Sequence, residues 1–494
     1  MLWNVPALGK RFIVPPASPR LKKTLLKPLN KGNALRYYVP AAKNTKPAPP
    51  VPTTGAKKTV KAFQFFKTKF KEVRRSPFGP MFPLPARKVV RDIEVIQAAL
   101  ECGYGKRVDW TAMLVLNSKE AQELTNYLVA RLGMLLACIR VDGKDARALR
   151  EFYKKMESSE KTAISFLAGS IGAYIAARLW LKAAGERMEA FLHVGIYTKS
   201  IAGNASLVSY FSAANKWPDY LVKSASGQWH VFESKGGAKR SRWQRLAEGL
   251  HQLQGMPHIG WAGQPAVPAT SVVCVHTSVD AGKDMQLTVV DPPPDDNLPS
   301  ERQPLEIIAP VATLMKFLEA VQQFRSLTDT ALDSQVDGSD VWVEQDSRQF
   351  QGVRVGLPRK FLVYEEKIRV QLGLFIAVRD ALEAEDSGSE RFNVALDRRL
   401  SGAVKVSRGT PERDNVEALV LLSRDRAAIL DSVCNMLGLD RLAEDVREIV
   451  KEAAETYFED DENAVLTTGG LRLQSAGWRD SSRELDQKGE RPRA

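Results

Sequence analysis

Two short apolar runs constrain this chain more than any other part of it. They are Trp217-Pro218-Asp219-Tyr220-Leu221-Val222 and, a few residues on, His230-Val231-Phe232-Glu233-Ser234-Lys235-Gly236. Each has the length and composition of a β-strand, and the polar Lys223-Ser224-Ala225-Ser226-Gly227 between them is short enough for a hairpin. Side chains alternate along a strand, so Trp229, Val231, Glu233 and Lys235 share one face, with His230, Phe232 and Ser234 on the other. Glu233 and Lys235 therefore point the same way, next to Asp219 at the start of the neighbouring strand. Charges on apolar strands are costly unless paired or bound to a metal. Two carboxylates can hold a hard cation such as Mg²⁺ or Mn²⁺ through oxygen. That cation polarises a phosphate and activates a water, while an ammonium steadies the developing charge. The pattern points to phosphodiester hydrolysis. A bare Asp and Glu-x-Lys also describes a salt-bridged strand pair with no chemistry. Pro218 before the acid, apolar flanks on both runs and the Gly236-Gly237 turn into a basic helix weigh towards a site.

The helix expected over Arg240–Gln254 opens with Lys239, Arg240, Arg242 and Arg245, the candidate nucleic-acid contacts. Leu246, Leu250 and Leu253 form the stripe that should pack on a sheet, with Arg245, Gly249 and Gln252 on another face. A solvated basic face is the plain alternative.

With these residues in view, the sequence resembles the PD-(D/E)xK superfamily of restriction-type nucleases. The resemblance rests on Pro218-Asp219 and Glu233-Ser234-Lys235, within an order of helix (160–185), strand pair, helix (240–254) and β-branched run (270–276). It covers roughly residues 158–291 and implies an α/β fold, a mixed sheet flanked by helices. It also implies a metal held by Asp219, Glu233 and the carbonyl of Ser234. Lys235 acts at the water and phosphate, and Gln252 lies beside the site, with Gln254 as the alternative. Many relatives carry a further Glu in the first helix. Here the middle of that helix has no acid, and Glu160, Glu186 and Glu189 lie only near its ends. The resemblance suggests an endonuclease acting on nucleic acid, with DNA favoured, in a microbial antiviral or restriction-type defence setting.

Charge is unevenly spread. Residues 1–90 hold 20 Lys and Arg against one acid, Glu72, while the whole chain has 71 against 58. Residues 91–494 thus carry 51 against 57, a net −6, so the overall +13 belongs to an N-terminal arm. The arm (1–87) is rich in proline and is expected to be extended or disordered. It should attract polyanions by counterion release. Within it, 56–75 reads as an inducible helix with Phe63, Phe66, Phe70 and Val73 on one side. Such a helix suits nucleic acid, an acidic protein or a membrane surface, and the neighbouring motif favours nucleic acid.

Other function classes recede. Cys102, Cys138, Cys274 and Cys434 are far apart and form no zinc knuckle. The five histidines fall in the nuclease-like region without ligand spacing, and no phosphate loop of the ATPase type is present. The start of the chain lacks the apolar core of a secretory signal, and an organellar presequence is the minor alternative. The apolar run 163–181, rich in Gly, Ala and Ser, suits a packed helix better than a membrane span. A cytoplasmic protein with no membrane partner is expected.

The expected organisation is the arm (1–87), a helical lead-in (88–157) with helices at 89–100, 119–140 and 145–156, and the nuclease-like domain (158–291). An acidic Pro-rich linker (292–304) follows, then an α+β domain (305–474) and a disordered tail (475–494). In the α+β domain, helices are expected at 305–327, 361–383, 414–437 and 442–458, and strands at 340–344 and 349–355 before a turn at Gly356-Leu357-Pro358. A hairpin is expected around Gly469-Gly470. This region offers a protein partner or self-association surface and no chemistry of its own. Two readings stand: a metal-dependent endonuclease, or a catalytically weak or inactive nuclease-fold module for nucleic-acid binding or assembly.

Overall fold

The computed structural model describes residues 35–40, 70–73, 90–103, 114–115, 119–141, 147–195, 218–253, 259–261, 267–283, 285–290, 305–307, 309–328, 341–350, 352–384, 389–404, 411–420, 425–455 and 464–475. In chain order these form strands β1 (Leu35–Pro40) and β2 (Phe70–Val73), then helices α1 (Asp92–Cys102) and α2 (Lys119–Cys138). A hairpin of β3 (Ile139–Val141) and β4 (Arg147–Leu149) leads to the long helix α3 (Ser158–Ala183). Next come β5 (Met188–His193), β6 (Tyr220–Ser224), β7 (Trp229–Gly237), α4 (Arg242–Leu253), β8 (Ile259–Trp261), β9 (Ser271–Ser278), β10 (Gln286–Val290) and β11 (Leu305–Ile307). Helix α5 (Ala309–Thr328) precedes β12 (Trp342–Asp346) and β13 (Val353–Pro358). Five helices follow: α6 (Lys360–Ala384), α7 (Glu390–Val404), α8 (Pro411–Val420), α9 (Arg426–Met436) and α10 (Leu439–Glu455). The hairpin β14 (Ala464–Leu466) and β15 (Arg472–Ser475) closes the described chain.

The fold is α/β, built on a mixed seven-stranded sheet in the order β2-β1-β10-β9-β7-β6-β5. The expected hairpin is present, with Tyr220 opposite Phe232 and Val222 opposite His230. Beside it β9 runs parallel to β7, placing Cys274 next to Glu233 and His276 next to Lys235. Helices α3 and α4 cover the two faces. A Cβ on Gly169 of α3 would lie 3.1 Å from the Ser234 hydroxyl, whereas one on Gly249 of α4 would lie 3.3 Å from Glu233 Cγ. The alternation read from the sequence therefore assigns each face of β7 to one helix. Helix α3 has the length and hydropathy of a membrane span, yet 83% of its most apolar window is buried in the protein. Small residues on both sides allow the close approach: a Cβ on Gly172 of α3 would run into the Thr277 hydroxyl, and one on Gly236 of β7 into the Ser165 carbonyl.

Several expectations are corrected. The arm, expected to be mostly extended or disordered, contributes two ordered strands to the sheet: β1 pairs in parallel with β10 from Leu35–Leu287 to Tyr38–Val290, and β2 pairs with β1. The aromatic Leu-Arg-Tyr-Tyr-Val run has strand character, and without it β10 would present an open edge. Of the helix expected over 56–75, Phe70–Val73 is strand β2, and the remainder lies outside the described residues. The helix expected over 145–156 is instead β4 and a short 3-10 turn, because Arg147–Leu149 pairs with Ile139–Val141. Residues 305–307 are a strand parallel to β8, and the helix starts only at Ala309. The 414–437 stretch holds two helices, α8 and α9, with Asp425 at the second start. Gly356-Leu357-Pro358 continues β13, with the proline as its last residue. The linker 292–304 and the tail after Ser475 lie outside the described residues.

A second sheet, β12-β13-β15-β14, is antiparallel throughout. The C-terminal region is fastened to the lead-in through α1. Gln97 Nε2 donates to the Leu466 carbonyl at 2.6 Å, and Glu101 accepts from the hydroxyl of Thr468 at 2.8 Å and from its backbone N–H. Buried Lys316 lies 3.4 Å from Glu101 and 3.0 Å from Glu319.

Candidate active site

The charged residues of the strand pair meet at one end of the seven-stranded sheet, where β6 begins and β7 ends. Asp219 stands just before β6, half-buried, behind buried Pro218. One Asp219 carboxylate oxygen accepts from the Ser234 backbone N–H at 2.9 Å, and Glu233 Oε2 accepts from the Asp219 N–H at 3.2 Å. Each acid is thus held by the backbone of the strand carrying the other. Glu233 has no exposed surface. Lys235 Nζ bonds to Glu233 Oε1 and donates to Gln252 Oε1 at 2.6 Å. The structure brings Asp219, Glu233, Lys235 and Gln252 together. Gln254 and Trp217 lie outside the described residues.

Electrostatics follow from burial. Burial, then the charge of Asp219, pushes the Glu233 carboxyl up to about 8, against the stabilising effect of Lys235. Burial also works against the Lys235 ammonium, but the charges of Glu233 and Asp219 outweigh it and hold its pKa above the ordinary lysine value. Half-buried Asp219 and fully buried Glu233, with the Lys235 ammonium bonded to Glu233, gather carboxyl oxygens and one ammonium at this end of the sheet.

The donor chemistry fits a hard divalent cation. Asp219 and Glu233 offer carboxylates, and the Ser234 carbonyl lies on the same strand end. Among the described residues no group of three or more His, Cys, Asp or Glu side chains could hold a metal. Two carboxylates are the number of protein ligands with which Mg²⁺ or Mn²⁺ is commonly held while water and phosphate complete the shell. Helix α3 supplies no third acid: Gly169 and Ser165 approach β7 from the face opposite Glu233.

The basic residues divide. Lys239 and Arg240 are exposed in the 3-10 turn before α4, and the Lys239 N–H donates to Asp280 at 3.0 Å. Arg245 is exposed and paired with Glu248 at 3.2 Å. Arg242 is corrected: it is buried, with its guanidinium carbon 4.3 Å from the Trp243 ring centroid. It lies one turn before Leu246, on the sheet side of the helix, and so cannot reach out to a phosphate as an exposed arginine would.

Three residues given no role at the site from sequence contribute to it. Gly249 lets α4 lie on the site: a Cβ there would come 2.5 Å from Cys274 Sγ and 3.3 Å from Lys235 Cε. A glycine in mid-helix, costing about 1 kcal/mol relative to alanine, is itself a packing signal. Cys274 and His276 share the α4 face with Glu233 and Lys235, fully buried, through the β7–β9 register. Only the parallel pairing reveals them. No family model, curated protein or solved structure matches the chain.

Proposed function

We propose that this chain is a divalent-metal-dependent endonuclease of the PD-(D/E)xK type, acting on nucleic acid, with DNA favoured. The observation that carries this reading is the meeting of Asp219, Glu233, Lys235 and Gln252 at one end of a mixed sheet, each acid fixed by a backbone N–H of the opposing strand. Asp219, Glu233 and the Ser234 carbonyl would hold the cation, which supplies Lewis-acid polarisation of the phosphate and a more acidic water. Lys235, anchored by Gln252, directs an ammonium at the pocket where a phosphate oxygen gains charge. Burial of Glu233 keeps that field strong by excluding water. Exposed Lys239, Arg240 and Arg245 and the basic N-terminal segment supply attraction to phosphates without sequence reading. A microbial antiviral or restriction-type role is the setting that the resemblance to the PD-(D/E)xK nucleases suggests.

The second reading, a nuclease-fold binding or assembly module with weak or lost chemistry, is favoured by one observation: only two acids meet at the pocket among the described residues. Purified full-length protein incubated with plasmid and with single strands separates the two readings. Cleavage with Mg²⁺ that EDTA abolishes supports the enzyme. Tight binding with no cleavage in Mg²⁺ or Mn²⁺ supports the module.

A further inference from the structure

Helices α2 and α3 carry an exposed pair of rings with a guanidinium between them. Tyr127 is 58% and Phe166 49% exposed. The Arg131 guanidinium carbon lies 5.4 Å from the Tyr127 centroid and 5.7 Å from that of Phe166. Arg131 and Phe166 also line a small cleft together with the buried residues Ser170, His193 and Tyr220.

This cluster is located at the acid end of the sheet. Helix α3 runs against β7 in the opposite direction: Gly169 meets the Ser234 and Gly236 region, while Trp180, more than two turns later, donates to Ser271 at 3.1 Å near the start of the strand. Phe166 therefore stands at the end where Ser234 and Lys235 lie. Tyr220, which also lines the cleft, is the residue directly after Asp219. The rings and the acids occupy the same end of the sheet, on opposite faces.

We infer that Tyr127, Arg131 and Phe166 form a stacking platform for unpaired bases of a nucleic-acid strand, so that the substrate of the proposed nuclease is single-stranded or locally opened. Every base has a π-face, and aromatic rings bind such faces with little regard to sequence. A guanidinium set between the rings adds cation–π attraction and a positive charge for the adjoining phosphate. Duplex DNA hides its base faces and gains nothing from the rings, which is what would give the preference. A purely apolar partner surface has no use for the central charge.

This inference rests on the nuclease reading for its setting, and binding tests it apart from cleavage. Full-length Lys235→Ala protein is titrated in Mg²⁺ with a single-stranded oligonucleotide containing 2-aminopurine, and with its duplex. The expected result is fluorescence quenching of the single strand on binding. Tyr127→Ala and Phe166→Ala, both at exposed positions, should each weaken single-strand binding by about tenfold and relieve the quenching, with duplex affinity changed less than about twofold. Equal losses on both substrates, unchanged single-strand affinity, or variants that alter only the sedimentation of the protein would overturn it. If the wild type cleaves nothing but binds single strands through these rings, the platform stands and the hydrolytic reading falls. Cleavage with ring-independent binding has the reverse meaning.

Discussion

Gly249→Ala tests how closely α4 is fitted to the site. Alanine is the better helix former by about 1 kcal/mol, so an unconstrained position would gain stability. Here the new methyl would meet Cys274 Sγ at 2.5 Å, well inside the ~3.5–4.0 Å of a favourable contact. Cys274 is fully buried and short, with nowhere to swing. Overpacking of this kind costs about 1–3 kcal/mol, so the net effect should be a loss of about 1 kcal/mol. The helix would also be levered away from Glu233 Cγ and Lys235 Cε, both at 3.3 Å from the new atom. Cys274→Ala alone removes the sulfur and should cost roughly 1 kcal/mol for the space left behind. Combined, the methyl at 249 fills that space, and the double variant should return to within about 0.5 kcal/mol of the wild type, a coupling of about 2 kcal/mol. Urea unfolding followed by circular dichroism reads this as shifts in midpoint at constant slope. Strictly additive effects, or a Gly249→Ala protein more stable than the parent, would refute the packing argument.

Burial holds His230 down to about 4 and, with Arg242 and Arg245 nearby, His276 down to about 3, from an ordinary 6.5. The unfolded chain therefore binds protons that the folded one refuses, and stability should fall as pH drops below about 6.5, by up to about 1.4 kcal/mol per pH unit for each ring. Unfolding free energies between pH 6.5 and 5 should flatten in His276→Gln, and an unaltered slope would count against the assignment. Removal of residues 1–34 takes away seven Lys and Arg but no described strand, and should lower the salt dependence of DNA binding by at most about six in the log–log slope. Removal of 1–87 also takes away β1, with β2 beyond it, and uncovers the edge of β10, so that variant should unfold earlier or associate. Equal thermal stability of the two truncations would contradict the pairing of β1 with β10.

The strand pair was legible because its alternation is strict and its charges are few, and α4 because Leu246 and Leu253 mark its buried stripe. Arg242 was misread because composition alone shows a basic helix start, whereas the helical phase puts that residue beside Leu246 and Trp243. The 145–156 segment, with its Ala, Leu, Arg and Glu, has helical propensity that pairing with Ile139–Val141 overrides. The sheet edge formed by β1 and β2 was hidden in a region dominated by charge and proline. Cys274 and His276 entered the site only through the register of two parallel strands far apart in sequence, which no local pattern encodes. The C-terminal region read as a separate unit because nothing in the sequence pairs Glu101 with Lys316 and Thr468.

Lys235→Ala examines the central claim most directly. With the ammonium gone, Glu233, already pushed up to about 8, can take a proton at neutral pH, so the chain should stay folded by circular dichroism and keep its affinity for nucleic acid. Cleavage in Mg²⁺ should drop by about 10²–10³, the loss typical of one transition-state-stabilising group. Asp219→Ala should be similarly impaired, and the double variant little worse than either single, because the groups act as a unit. A folded Lys235→Ala protein that cleaves at the wild-type rate would contradict the assignment.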